Sequence, residues 1–420
     1  MRIPVLVSLV LLAALAAAPW LLSATLINAA ISMLIAALFA TAYNLLCGQA
    51  GMLSFGHAAY FGIGAFATIH AMNAIAGAGL LPTPLMPLAG AVGGLLMGLL
   101  AGWFATQRSG AYFAMITLAI AELIHSLSPH LRDTFGGEAG LSSMRMPAWG
   151  FDFGSQIEVY YLTLAWVAAC IFLLFLFTRT PLGRLTLGLR ENSHRLRFLG
   201  YNVHYIGVLV FAISGMFSGV AGGLQVINNE AANYVVFDPA ISAAVVLNTY
   251  IGGVHAFLGP ALGAALMTFF GYAVSDMTQS WLLYQGLLFV LVMMFMPTGL
   301  SGLVIHSVRY TQQHGAVAFS KLLVVYAIAV ASLSAGIVLL TELTGRVFSQ
   351  DYKFLAQAAG PAGAPPIQLF QHEWHPSAWS TWLIPAAAIV LGIVLWRCAQ
   401  GISARQADRT QMLQESRSAS

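Results

Sequence analysis

Apolar residues run through this chain in windows of about 20, longer than strands and without the polar alternation of a half-buried surface helix. They fall at 4–24, 26–46, 53–73, 85–104, 111–128, 159–178, 205–227, 241–258, 260–275, 281–297, 322–341 and 380–397. Backbone in hydrocarbon must satisfy its own hydrogen bonds, so each window predicts a helix. The predicted fold is all-α: a polytopic transmembrane helix bundle of about 10–12 spans with broken or re-entrant helices. The pair 241–258 and 260–275 is interrupted by Gly252, Gly253, Gly259 and Pro260, and reads equally as one hairpin of broken helices. Residues 1–20 carry one basic residue and Ala16-Ala17-Ala18 beyond an apolar run, which fits a first span or a cleaved signal peptide.

Composition agrees with the pattern. Of 420 residues 59% are apolar and 7% charged, against roughly 25% charged in a soluble domain. Soluble enzyme, disordered protein and nucleic-acid binder are excluded as readings of the whole chain. A net charge of +3 is too small to argue for nucleic acid. Cys47, Cys170 and Cys398 are scattered and form no disulfide framework or metal knuckle.

Arginine placement sets the sidedness, because basic loops are retained in the cytoplasm. The segment 179–204 holds Arg179, Arg184, Arg190, Arg195 and Arg197 against a lone Glu191. The segment 129–158 holds Arg132 and Arg145 against Asp133, Glu138, Asp152 and Glu158. The first is expected inside and the second outside. Threading from that anchor puts Arg2, Arg108, Arg309, Lys321 and the tail after Arg397 inside, with Glu230, Asp238 and Asp276 outside.

Gly90, Gly94, Gly98 and Gly102 recur every fourth residue, as do Gly215, Gly219 and Gly223, which marks two helix faces for close packing. Between Ala42 and Ala65, the polar Asn44, Gln49, Ser54 and His57 are interleaved with glycines. Non-helical backbone at membrane depth needs protein or water around it, so this stretch reads as a broken helix near a translocation path or as an ordinary tight turn with satisfied polar groups. Glu122 lies inside the window 111–128 with His125 on the same face, which fits a proton relay or a carboxylate snorkelling to the outer interface. No span carries a His pair at i, i+4, so no metal site is predicted. No phosphate loop is present, and any ATP is hydrolysed on another chain.

The loop Thr178 to Val203 mixes arginine with Leu187, Leu189, Leu196, Phe198 and Leu199. It fits a short amphipathic helix docked in a partner or an anchor on anionic lipid. In the docked case Arg184, Arg190, Glu191 and Arg195 face polar groups and fix the register, while Leu196 and Leu199 supply apolar contact.

Four segments, "AYNLLCGQAGMLSFGHAAYFGIGAF", "SGAYFAMITLAIAELI…GGEAGLS", "TPLGRLTLGLRENSHRLRFLGYNV" and "FAISGMFSGVAGGL…NTYIGGVHAFLGPALGA…PTGLSGL", resemble in order the permease subunits of branched-chain amino acid ABC importers, of the LivM type. The resemblance covers about residues 1–310. It implies a second related permease subunit, two cytoplasmic ATPase subunits carrying ATP and Mg, a periplasmic solute-binding protein and a bacterial inner (plasma) membrane location. The chain itself is then no enzyme and binds no cofactor. Arg190-Glu191-Asn192 and Gly200 correspond to the ATPase-coupling segment, although Ser193-His194 stands where the family often has a second acidic residue. Residues 311–420 form a C-terminal extension with two further spans, an external loop at 342–379 containing the run Gly360 to Pro366, and a cytoplasmic tail. The competing readings are an ion-coupled secondary transporter, which calls for inverted repeats of broken helices, and a membrane scaffold or enzyme, which calls for an acid/base or metal cluster. Neither feature is found in the sequence.

Overall fold

The computed structural model describes all residues except 1, 77–81, 277, 279, 297, 304–306, 308–310, 312–315, 360–364, 370–371 and 419–420. Arg309 and the start of the Gly360 to Pro366 run lie outside the described residues. Two compact units emerge, Met1–Leu303 and Val304–Ser420.

In the first unit every predicted window holds a helix. They are α1 (Arg2–Ala17), α2 (Ala24–Asn44), α3 (His57–Ala71), α4 (Pro87–Ala105), α5 (Ala111–Leu127), α7 (Gln156–Arg179), α9 (Val203–Asn229), α10 (Pro239–Gly252), α11 (Gly259–Ser275) and α12 (Trp281–Phe295). A one-turn α6 (Arg132–Phe135) and the amphipathic α8 (Pro181–Phe198) lie between windows.

Among the described residues, six helices are long and apolar enough to cross a membrane, at Ala24–Gln49, Thr83–Ala105, Gln156–Arg179, Val203–Asn229, Leu323–Phe348 and Trp379–Gly401. The others are shorter; α5 and α11, with 17 residues each, reach about 25 Å at 1.5 Å per residue, less than a 30 Å hydrocarbon core. Long helices alternate with short, interrupted ones, as expected of a polytopic bundle with broken or re-entrant helices. Glycine and proline interrupt the short ones: Gly252 and Gly259-Pro260 bound the turn between α10 and α11, which form the hairpin of broken helices.

The centre is α9, buried on almost all sides. Without a hydrophobic drive between helices in lipid, backbone contact must hold it. The two glycine rows supply that contact by facing each other. A Cβ on Gly94 would meet the Gly215 carbonyl and lie 2.9 Å from Gly219 Cα, and one on Gly215 would lie 2.7 Å from the Gly94 carbonyl. Gly64 of α3 also lies against Gly219, making a three-helix glycine seam. Gly98 and Gly102 extend the row onto Ala212 and Phe211, while Gly223 meets Thr68.

One end of this unit is laced shut by loops. Strand β1 (Leu141–Ser142) pairs antiparallel with β2 (Ala231–Ala232). Arg145 donates from its backbone N–H (2.9 Å) and its Nε (3.1 Å) to Glu230 Oε1, and Trp166 Nε1 donates to the Pro84 carbonyl. Burial is small at Glu230, yet the Arg145 backbone N–H, aided by its guanidinium, holds the carboxyl below its ordinary range.

The second unit is a helical hairpin of α13 (Ala316–Phe348) and α15 (Trp379–Ser418), joined by α14 (Gln350–Ala359) and a small β-hairpin of β3 (Ile367–Leu369) with β4 (His372–Trp374). Its seam again uses glycine: a Cβ on Gly336 would lie 2.7 Å from Ile389, and one on Gly392 would lie 2.6 Å from Leu333. Ser332 Oγ donates to the Ala388 carbonyl across it.

Candidate functional site

The broken helix is real and deep. After Asn44, α2 passes into a π-helical turn, Leu45–Gln49, and the chain is non-helical from Gly51 to Gly56 before α3 starts. Side chains of two other helices and of the break itself satisfy the exposed backbone: Thr117 Oγ1 of α5 accepts from Phe55 N–H (3.2 Å), Ser242 Oγ of α10 from Ala58 N–H (2.8 Å) and the local Ser54 Oγ from Gly56 N–H (3.3 Å). Thr117 is six residues into α5, about 9 Å along its axis. The break thus lies inside the bundle, covered by protein as non-helical backbone at that depth must be.

His57 and Ser54 do not line an open path; both have no exposed surface. This corrects their expected role. His57 Nδ1 lies 3.1 Å from Ser54 Oγ, and Nε2 lies 2.9 Å from Ser214 Oγ. Ser214 donates its only hydroxyl proton to the Ala42 carbonyl at 2.7 Å. Nε2 therefore carries a ring proton and donates it to Ser214, and in the neutral ring Nδ1 accepts from Ser54. Tyr43 and Tyr60 meet the ring edge-on at 4.8 and 5.2 Å. His57 is a satisfied post joining α2, α3 and α9.

Asn44 is also buried, with its Oδ1 unpartnered, and Gln49 is half-buried. Tyr43 Oη on α2 and Asn248 Oδ1 and Thr249 Oγ1 on the adjoining α10 are buried and unpartnered too. Buried polar atoms without a protein partner call for water or ligand. The sequence reading missed Asn248 and Thr249, because a short polar pair at the end of an apolar window carries no periodic signal.

The α8 segment is kinked. Asn192 leaves helical geometry (φ −163°, ψ 97°), and its Oδ1 accepts from Arg195 N–H at 3.0 Å, so it caps a second short helix. Arg184, Glu191, Arg195, Phe198, Leu199 and Gly200 are exposed. Leu196 is not: it is 6% exposed and packs on Gly188, which corrects its expected partner contact to internal packing. Arg190 turns back to the bundle, where Nη1 donates to the Gly48 carbonyl at 2.6 Å and Nη2 to His255 Nδ1 at 3.1 Å. It thereby joins α8, the π-turn at the helix break and the α10–α11 turn. A guanidinium on the last carbonyls of a helix also complements the helix dipole. Beside it, a cavity of about 560 Å³ is lined by Gly51, Met52, Arg108, Tyr112, Ser193 and Arg197, among others. No cluster of metal-ligating side chains occurs among the described residues.

Residues 25–297 match the family model described as "Branched-chain amino acid transport system / permease component". The chain is 27% identical over 306 residues to LivM, the high-affinity branched-chain amino acid transport system permease protein of Salmonella typhimurium, covering 67% of this chain and 71% of that one. BraD, the corresponding protein of Pseudomonas aeruginosa, is 26% identical over 287 residues, covering 63% of this chain and 91% of its own length. The ribose import permease protein RbsC of Haemophilus influenzae is 28% identical over 131 residues, covering 30% and 39%. No solved structure matches.

Proposed function

The chain belongs to the family of branched-chain amino acid transport system permease components, and on that premise we propose that it forms one half of the translocation path of an ATP-binding-cassette importer and receives the motion of ATPase partners through α8. The solute is a branched-chain amino acid, as in the names of LivM and BraD. The partners are a second related permease subunit, two cytoplasmic ATPase subunits and a solute-binding protein on the outer side of a bacterial inner membrane. ATP is hydrolysed on the partners.

The observation that carries this reading is the bond from Arg190 to the Gly48 carbonyl. A loop that merely anchored the chain on lipid would send its arginines outward. Here the guanidinium of Arg190, itself solvent-accessible, is tied to the helix break, while Glu191, Arg195, Phe198 and Leu199 beside it stay exposed without such a tie. Charged groups of α8 fix a partner's register and apolar ones supply contact. A displacement of α8 then moves the end of α2, and packed bundles respond by switching between discrete arrangements.

The test is uptake of radiolabelled L-leucine by membrane vesicles containing all four kinds of subunit. Uptake that requires ATP and this chain supports the reading. Uptake driven by a proton or sodium gradient without ATP refutes it.

A further inference from the structure

Glu122 stands on the outside of the first unit, two-thirds of the way along a membrane-embedded helix. On α5 the buried face is Phe113, Thr117 and Ala121. The opposite stripe runs Tyr112, Met115, Ala119, Glu122 and Ser126, all exposed. Glu122 lies eleven residues from the start of α5, about 16 Å along its axis, and about 7 Å from its end. A carboxylate there does not rest in hydrocarbon; it reaches the outer interface, a polar route or another protein group. Among the described residues it has neither an ion pair nor a hydrogen bond, whereas Glu230 at the outer end is paired with Arg145. No cation among the described residues neutralises it, which leaves the carboxylate available to a cationic ligand. Ala119 one turn below and Ser126 one turn above are small, which leaves the carboxylate open to a ligand. The same stripe descends to Tyr112, which lines the 560 Å³ cavity with Arg108 and Arg197 and no acidic residue.

We propose that this face of α5 lines the translocation route and that Glu122 receives the α-ammonium group of the passing amino acid. The inference rests on the reading of the chain as an amino acid permease and names the residue that meets the solute. One end of the route offers a carboxylate to the ammonium. The other offers two guanidinium groups, about 15 Å further along at ten residues of helix, to the solute's carboxylate. A zwitterion finds a partner for each charge in turn.

The test uses the complete complex in liposomes with radiolabelled L-leucine. Glu122→Gln should lower uptake at least tenfold while the subunits still co-purify at wild-type ratio, and Glu122→Asp should retain a substantial part. In a chain whose three native cysteines are replaced, Ala119→Cys should react with a membrane-impermeant thiol reagent in the assembled complex. Wild-type uptake by Glu122→Gln overturns the assignment. So does loss of co-purification in Glu122→Gln, which would make the carboxylate a bond to the second permease, and so does labelling of the Ala119→Cys variant by lipid-soluble reagents alone. Were the wild-type complex itself not to transport leucine, the functional reading would fail first, before any variant is compared.

Discussion

Ser214 of α9 and His57 at the head of α3 share a hydrogen bond of 2.9 Å in the middle of the bundle. The same hydroxyl donates to the Ala42 carbonyl of α2, so one serine holds three helices around the break. Ser214→Ala would take the partner from a buried ring N–H and remove a bond to a buried carbonyl. The expected cost is about 1–3 kcal/mol, read as a lowered unfolding midpoint in detergent. An unchanged midpoint would show that the bond adds no stability.

The seam of α4 and α9 makes a second prediction. A leucine at Gly94 or Gly219 meets backbone, not a movable side chain, so the cost exceeds the roughly 1–3 kcal/mol of ordinary overpacking. Gly94→Leu and Gly219→Leu should yield no folded subunit by size-exclusion profile. Gly286→Ala, where the added Cβ meets nothing within 4 Å, should behave as wild type.

Both glycine rows were legible in the sequence, because a four-residue spacing on an apolar helix has one physical meaning. That they face each other was not, since the pairing is a contact between distant segments and no local pattern encodes it. The break was legible for the same local reason: glycines and polar groups interrupt an apolar window. Its depth was not legible, because Leu53 and Phe55 keep hydropathy high across non-helical backbone, which also stretched the window for α3 beyond its helix. Spacing alone gave Leu196 and Leu199 the same role. The kink at Asn192 separates them, turning Leu196 inward and leaving Leu199 exposed.

The Arg145–Glu230 clamp is expected to depend on pH. Its carboxyl titrates below the ordinary range, so the stabilisation is complete above the unfolded-state value, about 4.3, and is lost as pH falls through the lower folded value. The pair is partly solvated, which limits its worth to about 1 kcal/mol or less. Protection of the 129–158 loop from an acid-active protease should stay constant from pH 7 to 5 and fall only in stronger acid. Glu230→Gln should remove that acid step.

Sidedness is open to a direct measurement. In a chain without native cysteines, Met144→Cys should be labelled in intact cells by an impermeant thiol reagent, and Phe198→Cys should be spared. Met144 and Phe198 are 79% and 89% exposed in the lone subunit, and opened membranes stripped of the ATPases, in which Phe198→Cys should react, separate shielding by the membrane from shielding by a partner. Arg145 would be a poor reporter, its side chain being 9% exposed. Labelling of 198 without 144 would invert the topology read from the arginines.

Arg190 carries the last prediction. Its guanidinium spends one donor on Gly48 and another on His255, so it reads the positions of two segments at once from the root of α8. Lysine can supply a charge but not the fork that reaches both acceptors. If α8 only held ATPases to the membrane, Arg190→Ala would be silent, because Glu191, Arg195 and Leu199 remain available on its exposed surface. If Arg190 transmits motion, Arg190→Ala should leave ATPase co-purification intact and ATP hydrolysis running, yet lower leucine carried per ATP at least tenfold, with Arg190→Lys in between. The ratio of uptake to hydrolysis is the deciding quantity. A merely destabilised subunit lowers both rates together, whereas a broken strut lowers one alone.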